Sequence, residues 1–286
     1  MRSLLRVIYL KVTRILRGRR LSRFRIFRAI NNLIITPLKS NSVEIRGHQM
    51  FLDPRDRLNL SIYGDWEPLE VALVEKNVKK GDVVLDIGAN IGYYTLIMAR
   101  LVGDEGKVLA FEPDPDNFAL LKKNVEANGY RNVTVVQKAV TDRNGEIKLY
   151  RSQENMGDHR IYETTEDRPS VSIEAIRMDD YLKNHDVKVD FIKMDIQGAE
   201  YSAIRGMTAL FEQNRHLKIV TEFWPHALKS FGVEPEQYLN LLQQHGFKLY
   251  KIDELKKEVK PISVAELSRA AVAEKDDVNL LCVKEP

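Results

Sequence analysis

Short apolar runs alternate with longer stretches of helical period along most of this chain. Residues 83–85, 107–111, 133–140, 190–194, 217–221, 247–252 and 279–283 are dominated by Val, Ile, Leu and Phe over strand lengths, the mark of strands buried on both faces. Between them, residues 96–101, 115–128, 199–213 and 235–244 read as helices. Asn128-Gly129 and Gly246 stand as their stops. A further helix runs from Pro68, tolerated in a first turn, to about Val78. Strands alternating with helices predict an α/β fold, a doubly wound, mostly parallel, seven-stranded sheet with helices on both faces. Residues 146–151 and 170–178 are extra strands around a loop at 152–169, and residues 42–52 predict a hairpin about Gly47.

A different pattern precedes residue 41. At 100° per residue, Leu4, Leu5, Ile8, Val12, Ile15 and Leu16 gather on one side of a helix over residues 2–17, with Arg2, Arg6, Arg14 and Arg17 opposite. Arg19, Arg20, Arg23, Arg25 and Arg28 continue the charge. The expected division is a basic amphipathic extension at 1–40 and a folded domain at 41–286. Peripheral contact of residues 1–28 with an anionic membrane, packing on the body or a partner subunit, and nucleic-acid binding are the competing roles. Arginines interrupt every apolar stretch, which argues against a secretory signal, although transit peptides share this composition.

Charge sharpens the contrast. The chain is formally +3, yet residues 1–43 hold 11 basic and no acidic groups, leaving 33 basic against 41 acidic groups in the rest, a formal −8. An acidic body is a poor match for phosphate backbones, so no nucleic-acid partner is expected. The single cysteine, Cys282, excludes an intrachain disulfide and a cysteine-cluster metal site and suits a reducing compartment. No run of 18 uncharged apolar residues exists, so no membrane span is expected. The expected location is cytoplasmic, peripheral at the membrane if the leader binds there.

The chemistry centres on residues 83–95. An apolar strand ends at Asp86, passes through Gly88-Ala89-Asn90-Ile91-Gly92 and becomes a helix, the opening of a nucleotide-type binding unit. The next strand ends in Glu112, 24 positions beyond Gly88, about where a doubly wound fold offers a carboxylate to a ribose. A dinucleotide would want glycine where Asn90 stands, and Asp86 would repel a pyrophosphate. An acidic turn suits a cationic ligand, and S-adenosylmethionine offers a sulfonium, an ammonium and a ribose diol. Ligands bind beyond the carboxyl ends of parallel strands, which would gather Asp86, Glu112, Asp195 and Glu222 at one rim. Four such carboxylates need a cation among them, either the sulfonium or a divalent metal.

Asp86-Ile-Gly-Ala-Asn-Ile-Gly, then Phe111-Glu-Pro, then Lys193-Met-Asp-Ile-Gln-Gly-Ala-Glu200, in that order, resemble the FkbM-type methyltransferases of the class I S-adenosylmethionine-dependent fold. The resemblance covers roughly residues 44–284. It implies methyl transfer to a hydroxyl of a sugar, glycolipid or other small molecule, and a helix near residues 66–78 that covers the cofactor cleft. By position, Asp86 and the Gly88, Asn90 and Gly92 backbone, with Tyr93 and Thr95 at the helix start, are the candidates for the methionine part. Glu112 is the candidate for the ribose, Pro113 and Asp114 for the adenine edge, and Ala139 and Val140 for the adenine pocket. Asp195 and Glu222 are candidates for a base or for metal ligands, and Glu200 for orienting the loop. His159, in a loop resembling a family loop that carries a histidine near the acceptor, is a second candidate base. A nucleic-acid methyltransferase and a non-catalytic cofactor-binding or membrane-adaptor module are the alternative readings. Oligomeric state and acceptor identity have no signal in the chain.

Overall fold

The computed structural model describes residues 5, 6, 9, 31, 33–163, 166–183, 187–273 and 277–284. It forms two compact units, Met1–Trp66 and Glu67–Pro286. In the first, strands β1 (Ser42–Ile45) and β2 (His48–Phe51) make the expected antiparallel hairpin. Arg46 and Gly47 both take positive φ, the geometry of a two-residue turn matched to strand twist. A short helix, α1 (Leu60–Tyr63), follows. Most of the expected leader helix lies outside the described residues. Where it is described, Leu5 is exposed, Arg6 donates from Nε to Ile62 O at 3.0 Å, and Tyr9 packs with Ile35 and Ile62. Among the described residues no helix is long and apolar enough to cross a membrane.

The second unit is the α/β body. In chain order it comprises α2 (Pro68–Asn77), β3 (Val83–Ile87), α3 (Tyr93–Val102), β4 (Lys107–Phe111), α4 (Pro115–Ala127), β5 (Val133–Val136), β6 (Ala139–Thr141), β7 (Gly145–Tyr150) and β8 (Ser170–Arg177). After these come α5 (Met178–Leu182), β9 (Phe191–Met194), α6 (Glu200–Arg205), α7 (Thr208–Gln213), β10 (Lys218–Phe223), α8 (Pro225–Ser230), α9 (Pro235–Gln244), β11 (Phe247–Asp253), β12 (Glu258–Pro261), α10 (Val264–Ala273) and β13 (Val278–Lys284).

The main sheet has eight strands rather than seven, in the order β12-β11-β13-β10-β9-β3-β4-β5. The run β10-β9-β3-β4-β5 is parallel, while β13 is antiparallel to both β10 and β11. The eighth strand, β12, is an edge strand carrying Glu258 and Lys260, and charged edges leave no apolar run to read. Residues 133–140 are not one strand. The chain breaks at Gln137-Lys138, so β5 joins the main sheet and β6 pairs in a separate sheet of order β6-β8-β7. Nor is 199–213 one helix. It breaks at Gly206, where a Cβ would lie 2.2 Å from the Thr141 carbonyl oxygen, so the close approach of β6 excludes a side chain there.

The core follows the pattern that the apolar runs foretell. Val84, Leu85, Ile87, Val108, Phe111, Ile192 and Met194 are all buried beneath the flanking helices. Polarity appears at one end of the central strands. Glu112 follows β4, Asp195 follows β9, and Glu222 is the penultimate residue of β10, before Phe223.

Candidate functional site

A cleft opens beyond the carboxyl ends of β3, β4 and β9, the place where ligands bind in parallel sheets. Of the expected residues, Gly88, Asn90, Glu112, Pro113, Ala139, Val140, His159 and Asp195 line it. Asp86, Gly92, Tyr93, Thr95, Asp114 and Glu222 do not. The helix α2 does not line it either, contrary to the covering role that the family resemblance implied.

The glycine turn explains part of this division. Gly88 has φ +81, and a Cβ there would stand 2.0 Å from the Asp195 carbonyl oxygen. Its missing side chain therefore serves the approach of two chain segments as much as that of a ligand. Asp86 is buried within β3 and accepts the Thr95 hydroxyl at 2.5 Å. Burial raises it to about 6, with the Thr95 bond pulling the other way. Gly92 backs onto Leu121 of α4, so Asp86, Thr95 and Gly92 shape the turn from outside the cleft.

Glu112 is the cleft's central acid. Its Oε2 accepts the Asn90 N–H at 2.8 Å and its Oε1 the Asp114 N–H at 2.9 Å. Burial raises it to about 8 despite these two bonds. A carboxylate offers about four acceptor positions, so room remains on each oxygen for a ribose hydroxyl. Ala139, Val140, Leu149, Met156 and Ile161 supply an apolar wall. The acid beside an apolar slot fits a nucleoside such as the adenosyl part of S-adenosylmethionine.

Asp114 is spent elsewhere. Its Oδ1 caps α4 by accepting the Asp116 and Asn117 N–H groups, both at 3.0 Å, and its Oδ2 pairs with Arg151 Nε at 2.6 Å. His159 also turns this way. Its Nδ1 accepts the Ser152 N–H at 3.1 Å and its Nε2 lies 3.7 Å from Asp114 Oδ2. One ring nitrogen is thus tied to the loop and the other faces the cap of α4, an arrangement that orders the cleft wall.

On the far side, Asp195 remains partly exposed in the cleft and accepts from Gln197 Nε2 at 2.8 Å. The same amide nitrogen donates to Glu222 Oε2 at 3.2 Å, so Glu222 stands one hydrogen bond behind the cleft. Burial, then the like charges of Asp195 and Glu200, hold Glu222 well above the usual carboxylate range. Glu200 accepts the Ile196 N–H at 3.0 Å, the loop-orienting contact expected of it, while its Oε2 is buried and accepts no hydrogen bond among the described residues. Ligand atoms of Asp195, Glu200 and Glu222 lie within 4.8 Å of one another, the one such grouping among the described residues. Behind them Lys193 is buried against Glu70 at 3.1 Å and lies 5.0 Å from the Tyr94 ring centre. Burial opposes its charge, but Glu70, Asp195 and Glu67 outweigh burial and raise it. Glu67, which accepts from Tyr94 and Asn279, is itself raised by burial and by Glu70.

These buried acids make stability depend on pH. Unfolded, Asp86 and Glu112 ionise near 3.8 and 4.5; folded, near 6 and 8. The folded protein therefore holds more protons across that window, and its stability falls as pH rises through it. The urea midpoint of the ligand-free protein is expected to drop between pH 5 and 8, and Glu112→Gln to flatten the upper part of the fall. A midpoint that climbs over this range would contradict the burial of these groups.

Several residues in and around the cleft carry no advance signal. Gln197 sits inside the Lys193–Glu200 motif but has no role until Asp195 and Glu222 converge on its amide. Asn117 reaches the cleft from α4 and donates to Met156 O at 3.0 Å, holding the loop onto the glycine turn, where Asn90 Nδ2 meets the same carbonyl at 3.3 Å. Tyr162 donates to Gln197 O at 3.0 Å from the same loop.

Residues 86–249 match the family model described as the methyltransferase FkbM domain. The hexuronic acid methyltransferase AglP of Haloferax volcanii is 28% identical over 177 residues, 61% of this chain and 66% of that protein. Among solved structures, the methyltransferase FkbM from Methylobacillus flagellatus KT aligns with TM-score 0.43 at 15% identity, covering 79% of this chain and 52% of that one. An rRNA methylase from Streptococcus thermophilus aligns with TM-score 0.44 at 10% identity, covering 76% and 95%.

Proposed function

The chain belongs to the FkbM methyltransferase family, and on that premise we propose that it moves a methyl group from S-adenosylmethionine to a hydroxyl of a sugar or similar small molecule. The observation that carries the reading is the pairing of Glu112 and Asp195 across one cleft, an acid among apolar walls at one end and a solvent-reachable carboxylate at the other. The sugar is favoured by the relative that acts on a hexuronic acid and by the acidic body, which disfavours nucleic acid.

S-adenosylmethionine, when bound, supplies an activated methyl group. Glu112 and Asn90 would hold the ribose side, and Ala139, Val140 and Leu149 the adenine. Asp195 would take the proton from the acceptor hydroxyl as its oxygen becomes nucleophilic. Glu222, joined to Asp195 through the Gln197 amide, would aim it and is a positioning residue. Alignment of the acceptor and exclusion of water supply the rest.

Tritium transfer from methyl-labelled cofactor to a panel of sugars, glycolipids and RNA tests the reading. Label on RNA alone would overturn it. Glu112→Ala is expected to weaken cofactor binding by about 2–3 kcal/mol, the scale of lost charge-assisted hydrogen bonds; an unchanged calorimetric affinity would remove Glu112 from the site. A divalent cation on Asp195, Glu200 and Glu222 is a second reading, favoured by the buried, unbonded Glu200 Oε2. Turnover abolished by a chelator and restored by magnesium would replace the base mechanism with this one.

A further inference from the structure

We propose that Arg160 forms a subsite for a carboxylate on the methyl acceptor, so that this enzyme selects acidic sugars; the inference rests on the sugar-hydroxyl reading above. Arg160 closes the cleft-wall loop, pairing through its backbone with Tyr150 at 2.7 and 3.0 Å. Its side chain is only 10% exposed. The guanidinium lies 4.9 Å from the Trp224 ring centre and 5.8 Å from that of Tyr162. Its Nε donates to Asp158 at 2.7 Å, and its two terminal nitrogens make no hydrogen bond among the described residues. The neighbouring Arg168 differs: its fork is divided among the Asp158 side chain, the Asp158 carbonyl and Glu166. One cation is spent on the loop. The other is fixed in place with its terminal donors unspent among the described residues.

Arg160 does not itself line the cleft, but its packing partners connect to the reacting end. Trp224 follows Glu222 by two residues at the end of β10, and Tyr162 donates to Gln197, whose amide joins Asp195 to Glu222. On this proposal one small molecule would reach from the cleft with a hydroxyl on Asp195 and a carboxylate on Arg160. The planar guanidinium matches a planar carboxylate in two parallel bonds, and holding it over the indole steadies the fork before the ligand arrives. With Arg168 committed, a single fork suits a carboxylate better than a phosphate dianion, which recruits several cations.

The full chain is assayed by tritium transfer to p-nitrophenyl β-D-glucuronide and to its neutral counterpart, p-nitrophenyl β-D-glucoside. Arg160→Gln is expected to raise KM for the glucuronide by about ten- to a hundredfold while the glucoside stays within about twofold. Arg160→Lys, which keeps charge but not the fork, should fall between. An equal loss on both glycosides would mean that Arg160 only supports the loop, and no loss on either would mean that it touches no substrate; each overturns the inference and leaves methyl transfer to sugars standing. A wild-type protein that methylates neither glycoside but labels another acceptor overturns the sugar reading and this inference with it.

Discussion

Asp195→Asn is expected to lower kcat by about 10²–10⁴-fold, the usual contribution of a positioned base, while leaving cofactor affinity within about twofold. Asparagine keeps the size of the side chain and its bond from Gln197, so the loop after β9 retains its shape. What disappears is the proton acceptor. Asp195 is the partly exposed member of the carboxylate group, whereas Glu222 and Glu200 are buried behind it. Glu222→Gln should therefore cost much less, because it disturbs aim and not acceptance. Single-turnover tritium transfer with calorimetric binding separates the two parts. If the Asp195→Asn rate lies within about tenfold of wild type, proton transfer from the acceptor runs through another group.

Gly88→Ala is expected to destabilise the fold by about 3–5 kcal/mol, the scale of strained backbone combined with overpacking. Two costs act together there. The residue holds φ +81, and its Cβ would meet a backbone oxygen at 2.0 Å, which cannot rotate away as a side chain would. Gly129 offers the control, with φ +71 and nothing within 4 Å of its added Cβ. Gly129→Ala should cost only the conformational part, about 1 kcal/mol. Urea denaturation of both variants measures the difference. Equal losses would mean that the turn and the Asp195 segment do not touch.

Much of the architecture was legible because strands and helices are written in local period. The helix over residues 235–244, for example, is found between Pro235 and Gln244. The acid at the end of β4 was legible for a related reason: strand, glycine turn and second strand are consecutive, so spacing alone brings Glu112 to Asn90. Errors arose where distant segments meet. Residues 133–140 look like one apolar strand, but two sheets compete for it and each takes half. The run 199–213 has helical period throughout, yet the helix is interrupted at Gly206, where β6 passes too close for a side chain.

The site divides along the same line. By itself the sequence determined the family, the parallel sheet with its glycine turn, and the carboxylates at strand ends, because each of these is a property of neighbours along the chain. Tertiary structure alone decided what each charged group touches. Asp114 and His159 are absorbed into a cap and a loop, Glu222 withdraws behind Gln197, and Arg160 comes to lie on Trp224, sixty-four positions away. Burial and partners set the chemistry of a charged group, and these are supplied by segments that meet only when the chain has folded.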